Sequence, residues 1–422
     1  MTNIRIVIGG NFGDEGKGLM TDYFTREMMR RSGRCLNVLS NGGAQRGHTV
    51  VAEQALTGKQ VRHVFRHFGS GTFAGADTYF PSDFILNPMI FMKEIRELEE
   101  KFPEAVFGPE GGPDGRPEDR RNLFVHPDCP VTTPFEMLAN LILEESRGKK
   151  RHGSVGVGIW ETVIGNGKKY GELVRMTPAQ RKHYLETDRK ERMYKRLCSQ
   201  GIDMLSPKWE GIANDPGLIR HYLEDLEEMT GKLILTDDKI LKHYDEIVFE
   251  NGQGLLLDRA MKRKGYGEHT TPSNTGIRNP VRILKEVYGK EAAEGQAERE
   301  PLQIEAVYVT RSYMTRHGVG RFDTECPKEE INASMTDMTN QPNKSQGSLR
   351  YGTLNLTSLL RRVRRDFGVL EEELKTERMS GSMDAEYAVA MTHLNEFAHP
   401  GSGHHDIKYK SFSETGKNCV IL

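Results

Sequence analysis

The sequence predicts an α/β protein with a mainly parallel central sheet flanked by helices. Three observations carry this expectation. Short apolar runs at 4–8, 247–249, 306–309 and 388–392 have the length of buried strands. The first three lead into loops rich in glycine or polar residues, at 9–18, 251–254 and 315–320, and the last precedes a Gly/His-rich stretch at 401–405. Between the runs lie longer stretches of helical pattern, and alternating strands and helices build a parallel sheet.

Residues 4–8 form the first strand, which enters a glycine loop, and 19–29 the first helix. Residues 35–39 are a second strand, ending at Asn41-Gly42-Gly43. Asn87-Pro88 opens a helix, with proline in the first turn and Ile90, Phe91, Ile95 and Leu98 as its apolar stripe. Proline, glycine and charge crowd 108–122, which predicts a surface loop. A further helix spans 134–145, again with proline in the first turn, and about 177–244 is a charged, mostly helical subregion. No internal repeat or linker interrupts the chain, so 1–422 is expected to be one elaborated domain. In such sheets ligands bind at the carboxyl ends of the strands, where the glycine clusters fall.

The 422 residues are 36% hydrophobic, enough for a sizeable core, and carry 59 Lys+Arg against 60 Asp+Glu for a net charge of −1. That balance argues against nucleic acid as a partner. No apolar stretch approaches the ~18 residues of a membrane span, and only a short apolar run follows Arg5, so no membrane partner and a cytoplasmic location are expected. The five cysteines are scattered and fit neither a disulfide framework nor a zinc site. A metabolite-handling enzyme is the favoured class, with a binding protein as the alternative. The 44 glycines exceed the usual share of ~7%, and their clusters point to the site.

Gly9-Gly10-Asn11-Phe12-Gly13-Asp14-Glu15-Gly16-Lys17-Gly18 lies between a strand and a helix, where backbone N–H groups and a helix N-terminus can meet an anion. Lys17 is placed to meet a phosphate. The segment is not a Walker A loop: Asn11 stands where its first glycine belongs, and Gly18 where Ser or Thr follows the lysine. Asp14 and Glu15 beside a phosphate call for a metal or a proton-transfer role. A generic glycine turn is the plainer reading of this segment alone. The next cluster, Asn41-Gly42-Gly43-Ala44-Gln45-Arg46-Gly47-His48-Thr49, sets His48 after a flexible loop, either as an acid or as an ordinary polar residue.

In this order the two segments resemble the WGDEGKGK and GGxNAGHT motifs of the adenylosuccinate synthetase family. The resemblance continues in Phe249-Glu250-Asn251-Gly252-Gln253-Gly254-Leu255-Leu256-Leu257-Asp258 (FEGAQGxLLD), in Thr271-Pro272-Ser273-Asn274-Thr275 (TSSNT) and in Thr315-Arg316-His317-Gly318-Val319-Gly320 (TRVGxG). Weaker matches are 153–158 (GTTGRG), 392–395 (TKLD) and Thr415-Gly416. The resemblance implies a P-loop-related α/β fold and a two-step ligation. A nucleoside triphosphate phosphorylates O6 of a 6-oxopurine nucleotide (IMP, or a GMP- or dGMP-like substrate), and an amine displaces the phosphate. It implies Asp14, Lys17, His48 and Gln253 as catalytic residues, with Asp14 taking the N1 proton. Mg²⁺ would be bound by Asp14 and the Gly47 carbonyl. Gly13, Glu15, Gly16, Gly18, Thr49, Asn395, Thr415 and Gly416 would bind the triphosphate. Gln45, Ser154, Thr271, Arg316 and Arg350 would bind substrate. The family also implies aspartate as the amine and a homodimer.

The departures fall in the substrate-selecting parts. The family's arginine-rich TTGRRRRTG loop, which holds the aspartate, reads Lys344-Ser345-Gln346-Gly347-Ser348-Leu349-Arg350-Tyr351-Gly352, with Arg350 and Lys344 as its cations. TKLD reads Thr392-His393-Leu394-Asn395. Asparagine offers one donor and one acceptor, so ATP suits it as well as GTP. Val155 and Val157 replace a threonine and an arginine of GTTGRG, and Ile164-Gly165-Asn166-Gly167-Lys168-Lys169 lacks the arginine that the family contributes across its dimer. Only 19 residues separate Asn395 from Thr415. A shortened, divergent member is expected. The alternatives are a nucleotide-binding paralog acting as sensor or partner, or a ligase with a different amine donor.

Overall fold

The computed structural model describes residues 1–421 apart from 54–57, 104, 110–119, 268, 290–300, 336–346, 376–382 and 417–418. Lys344 and most of the predicted 108–122 loop lie outside the described residues.

A ten-stranded sheet organises the chain. In space its strands run Ile234–Leu235, Leu123–Val125, Asp77–Phe80, Leu36–Val38, Glu246–Gly254, Thr2–Gly9, Leu302–Arg311, Met383–Thr392, Ile407–Ser411 and Cys419–Ile421. Every pairing is parallel except the last, between Ile407–Ser411 and Cys419–Ile421. Both faces are covered, which is why the strand segments are almost continuously apolar. On one face Ile4, Ile6 and Ile8 pack with Leu284 and Leu359, from the helices Arg278–Tyr288 and Leu356–Lys375. On the other face Val7 meets Met20, Phe24 and Met28 of the helix Lys17–Ser32.

Local chemistry sets the helix ends. Asn87 accepts from the Ile90 N–H at 3.3 Å ahead of Pro88–Lys101. Thr133 and Glu136 form a capping box on Pro134–Ser146. The helical subregion contains Pro178–Tyr184, Lys190–Cys198, Pro207–Ala213 and Pro216–Lys232, three of which start at a proline. Tyr184, Leu197, Tyr222 and Leu226 bury it against Phe91 and Leu138. Its end, Ile234–Leu235, becomes the edge strand of the main sheet.

Two expectations need correction. The glycine turn predicted at 251–254 belongs to the strand, which runs through Glu246–Gly254. It bends at its end, where Gln253 has φ 57° and the register against Thr2–Gly9 shifts between Val7 and Gly9. His48 does not follow a free loop but begins the strand His48–Glu53, paired antiparallel with Gln60–Phe65. The sequence also gave no sign of the two C-terminal strands.

Candidate active site

A cavity of about 1090 Å³ opens at the carboxyl ends of the central strands. Phe12–Leu19 in sequence, after Thr2–Gly9, line one side, and Gln253, Arg311 and Thr392 reach it from the ends of three neighbouring strands.

The loop after the first strand is held in an unusual shape. Gly13, Asp14 and Gly16 have φ of 112°, 56° and 88°, and Asp14 tolerates the left-handed region where most side chains do not. Arg311 fixes it by donating from Nε to the Asp14 carbonyl, while Thr392 Oγ1 donates to the Glu15 carbonyl at 2.9 Å. Glu15 Oε1 accepts from the Asn11 N–H at 2.6 Å, and burial pushes this carboxyl up to about 7 against the pull of Lys17. Burial also lowers the Lys17 ammonium, opposed by Glu15 and Asp14. The Asp14 carboxylate faces His317, with Oδ2 3.3 Å from Nε2. Gly18 opens the helix against the histidine strand: a Cβ there would lie 2.9 Å from the Thr49 carbonyl oxygen and 3.0 Å from His48 Cβ.

His48 lies 2.5 Å through Nδ1 from Glu250 Oε1. Glu250 is fully buried on the neighbouring central strand and also accepts from the Ser70 N–H at 2.9 Å and from Ser70 Oγ. Burial raises the Glu250 carboxyl, but Arg46, His48 and Ser70 outweigh it and bring it down to about 2. Burial and then the Arg46 charge push His48 down to about 4, against Glu250. We therefore assign the ring proton to Nδ1, donated to an ionised Glu250. Arg46 Nη2 lies 2.9 Å from the same carboxylate oxygen.

The other predicted residues separate into two groups. Gln45, Gly47, Thr49, Ser154, Thr271, Arg316 and Asn395 join the glycine loop, His48 and Gln253 on the cavity lining. Ser154 donates from Oγ to Asn140 Oδ1 at 2.8 Å, and Glu144 holds its backbone N–H at 3.1 Å. Arg316 is buried over the Phe12 ring and donates to the carbonyls of Arg321, Val319 and His269. Burial and then Arg350 lower its guanidinium to about 10. Arg350, Thr415 and Gly416 are not on the lining. Arg350 pairs with Glu325 through Nε at 2.8 Å and donates to the carbonyls of Gly318 and Gly320. Thr415 bonds Ser413, which does line the cavity, and Gly416 packs near Tyr23. Sequence reasoning assigned no role to Glu250, Arg46, Arg311 or His317. For Glu250, Arg46 and His317 there was a signal, since each stood inside a quoted motif.

Fold and site together define an α/β protein that gathers a glycine loop, a lysine, carboxylates and a carboxylate-held histidine in one cavity. The family model for adenylosuccinate synthetase matches residues 6–366. The adenylosuccinate synthetase of Gloeobacter violaceus is 27% identical over 78% of this chain and 64% of its own length, and that of Geobacter sulfurreducens 26% identical over 77% and 65%. The chain thus spans just under two thirds of the length of these relatives. Among solved structures, the fully ligated adenylosuccinate synthetase of Plasmodium falciparum has a TM-score of 0.58 at 18% identity, covering 93% of this chain and 77% of that one. The cyanophage S-2L succinoaminodeoxyadenylate synthetase, bound to dGMP and to dATP as energy donor, has 0.59 at 14% identity, covering 100% and 95%. The chain belongs to the adenylosuccinate synthetase family.

Proposed function

We propose that the protein is a nucleoside-triphosphate-dependent ligase that forms a C–N bond at the 6-position of a purine nucleotide. The observation that supports this best is that Asp14, Lys17, His48 and Gln253 share one cavity, with His48 held by the buried Glu250. Asp14 takes the N1 proton of a 6-oxopurine nucleotide, and the electron pair moves through C6 to O6. O6 attacks the γ-phosphorus and the bond to the nucleoside diphosphate breaks. An amine then adds at C6, and the former O6 leaves with inorganic phosphate. Lys17 and the amides of the loop hold the triphosphate. An anionic phosphoryl group at Nε2 favours the doubly protonated His48 ring, which then donates from Nε2 while Nδ1–H stays on Glu250. Asp14 and the Gly47 carbonyl supply hard oxygen donors on the same lining, a set that suits Mg²⁺, which when bound would neutralise triphosphate charge.

Asn395 lies on the lining where the family pattern has aspartate, and its amide matches the donor and acceptor of adenine. ATP-type donors are therefore accepted beside GTP. The nucleotide is IMP or a GMP- or dGMP-like substrate, in keeping with the dGMP and dATP of the cyanophage neighbour. Aspartate is the amine, and Arg316 is the predicted cation on the lining for it, with both Nη atoms held by carbonyls and Nε unpartnered among the described residues. The same reading has the protein acting as a homodimer.

Phosphate release tests this, with IMP, GMP and dGMP paired with GTP, ATP and dATP and with amino acids. Release that requires nucleotide, triphosphate and amine together is expected. Tight nucleotide binding with no release in any pairing would instead identify a binding paralog.

A further inference from the structure

Arg46 stands where the GGxNAGHT pattern has alanine, so this chain adds a positive charge two residues before His48. Its side chain is 0% exposed and lies on the cavity wall segment. Nη2 lies 2.9 Å from Glu250 and 3.0 Å from His48 Nδ1, but Nε and Nη1 have no hydrogen-bond partner among the described residues. Buried donors left unpaired cost free energy, so such a group in a folded protein needs an explanation.

Its neighbours repeat the signal. Both amide atoms of Gln45 and Oε1 of Gln253 are buried and unpartnered as well. These groups surround Gly42, which has φ 84°. A Cβ there would lie 3.3 Å from Gln45 Nε2, 3.6 Å from Arg46 Cγ and 3.7 Å from Gln253 Oε1. Two amides thus flank the Arg46 stem, its guanidinium lies beside the His48–Glu250 pair, and the hydrogen bonding of all three groups is incomplete among the described residues.

We propose that Arg46 is a catalytic residue of the phosphoryl-transfer step, its unpartnered N–H groups donating to the purine 6-oxygen and the phosphoryl group it takes up. The proposal rests on the ligase reading. Loss of the N1 proton to Asp14 sends the electron pair to O6, and donors fixed before the reaction stabilise that charge best. The guanidinium stays protonated throughout and forms no covalent bond. Glu250 accepts from His48 Nδ1 and forms an ion pair with Arg46, whose Nη2 also lies 3.0 Å from His48 Nδ1, so one carboxylate orients both groups.

The test isolates this step. The β,γ-bridging oxygen of the triphosphate is labelled with ¹⁸O, a 6-oxopurine nucleotide is added and the amine omitted, and scrambling of the label is followed. Nucleotide affinity and Tm are measured on the same samples. In Arg46→Ala, which installs the pattern residue, scrambling is expected to slow by about a hundredfold while nucleotide Kd changes less than about threefold, with Arg46→Lys in between. Should Arg46→Ala fold poorly, Arg46→Gln gives the same comparison. Scrambling within about threefold of wild type, or an equal loss of scrambling and affinity, would overturn the role of Arg46 alone. A wild-type protein that scrambles no label with any pairing would overturn the ligase reading and this proposal with it.

Discussion

Asp14 and Asn395 illustrate what a contiguous motif does and does not convey. Asp14 was legible as a candidate because a carboxylate inside a glycine loop calls for a metal or a proton to transfer, and it lies on the cavity lining. Asp14→Asn keeps the shape and removes the base. Phosphate release is expected to fall on the order of a thousandfold with nucleotide binding retained. A variant within a few-fold of wild type would remove Asp14 from the proton transfer. Asn395→Asp replaces the amide's donor with an acceptor, so the ratio of ATP to GTP usage, measured as kcat/KM, is expected to shift toward GTP by at least about tenfold. An unchanged ratio would separate Asn395 from the base. Glu250 was not legible as a partner of His48, because the two are 202 positions apart in sequence and only the fold joins them. The loss of Arg350 from the lining was hidden for a related reason. A sequence does not show that Glu325 and two carbonyls already occupy a guanidinium.

At the scale of elements, the glycines act by letting backbone segments touch. The helix Lys17–Ser32 seats on the strand His48–Glu53 because Gly18 has no side chain. Gly18→Ala is expected to cost about 1–3 kcal/mol in denaturant unfolding and to lower kcat by displacing His48. Wild-type stability and rate would show that the approach is looser than 2.9 Å. Strands of the central sheet were readable because burial on both faces leaves little but apolar residues. The strand His48–Glu53 was missed because its first residues are polar and serve the site. The bent end of Glu246–Gly254 was mistaken for a turn because its glycines allow a close approach inside a strand.

Across the whole molecule, buried ionisable groups set a dependence of stability on pH. His48 is held at about 4, so between about 6.5 and 4 the unfolded chain takes up a proton that the fold refuses, and stability falls as pH falls. Glu15, raised to about 7, acts oppositely between about 7 and 4.5, because there the fold binds the proton first. These two offset one another in large part. Below 4.5 the balance ends. Glu250 is held at about 2, and so is Glu94, where burial is outweighed by hydrogen bonds from His63 and His67. Both lose their contribution as pH falls from 4.5 toward 2. Urea unfolding at a series of pH values should show little change from 7 to 4.5, where Asp366, raised to about 6 by burial, and His67, lowered by burial, oppose one another in the same way. Below 4.5 the loss should reach about 1.4 kcal/mol per pH unit for each group. Glu94→Gln, which lies outside the cavity, should make the acid limb shallower; an unaltered slope would contradict the depressed Glu94 carboxyl. None of this was legible in composition, where Glu15, Glu94 and Glu250 are three acids among 60.

C–N ligation through phosphorylation of O6 leaves its mark in the mass of the nucleotide product, which mass spectrometry reads. With a 6-oxopurine monophosphate, aspartate and GTP or ATP, a product heavier than the nucleotide by one aspartate less one water is expected. Nucleoside diphosphate and phosphate should form in equal amounts, and all products should form about a thousandfold more slowly with Asp14→Asn. Triphosphate consumed without any nucleotide product of that mass, or the same output from Asp14→Asn, would contradict it.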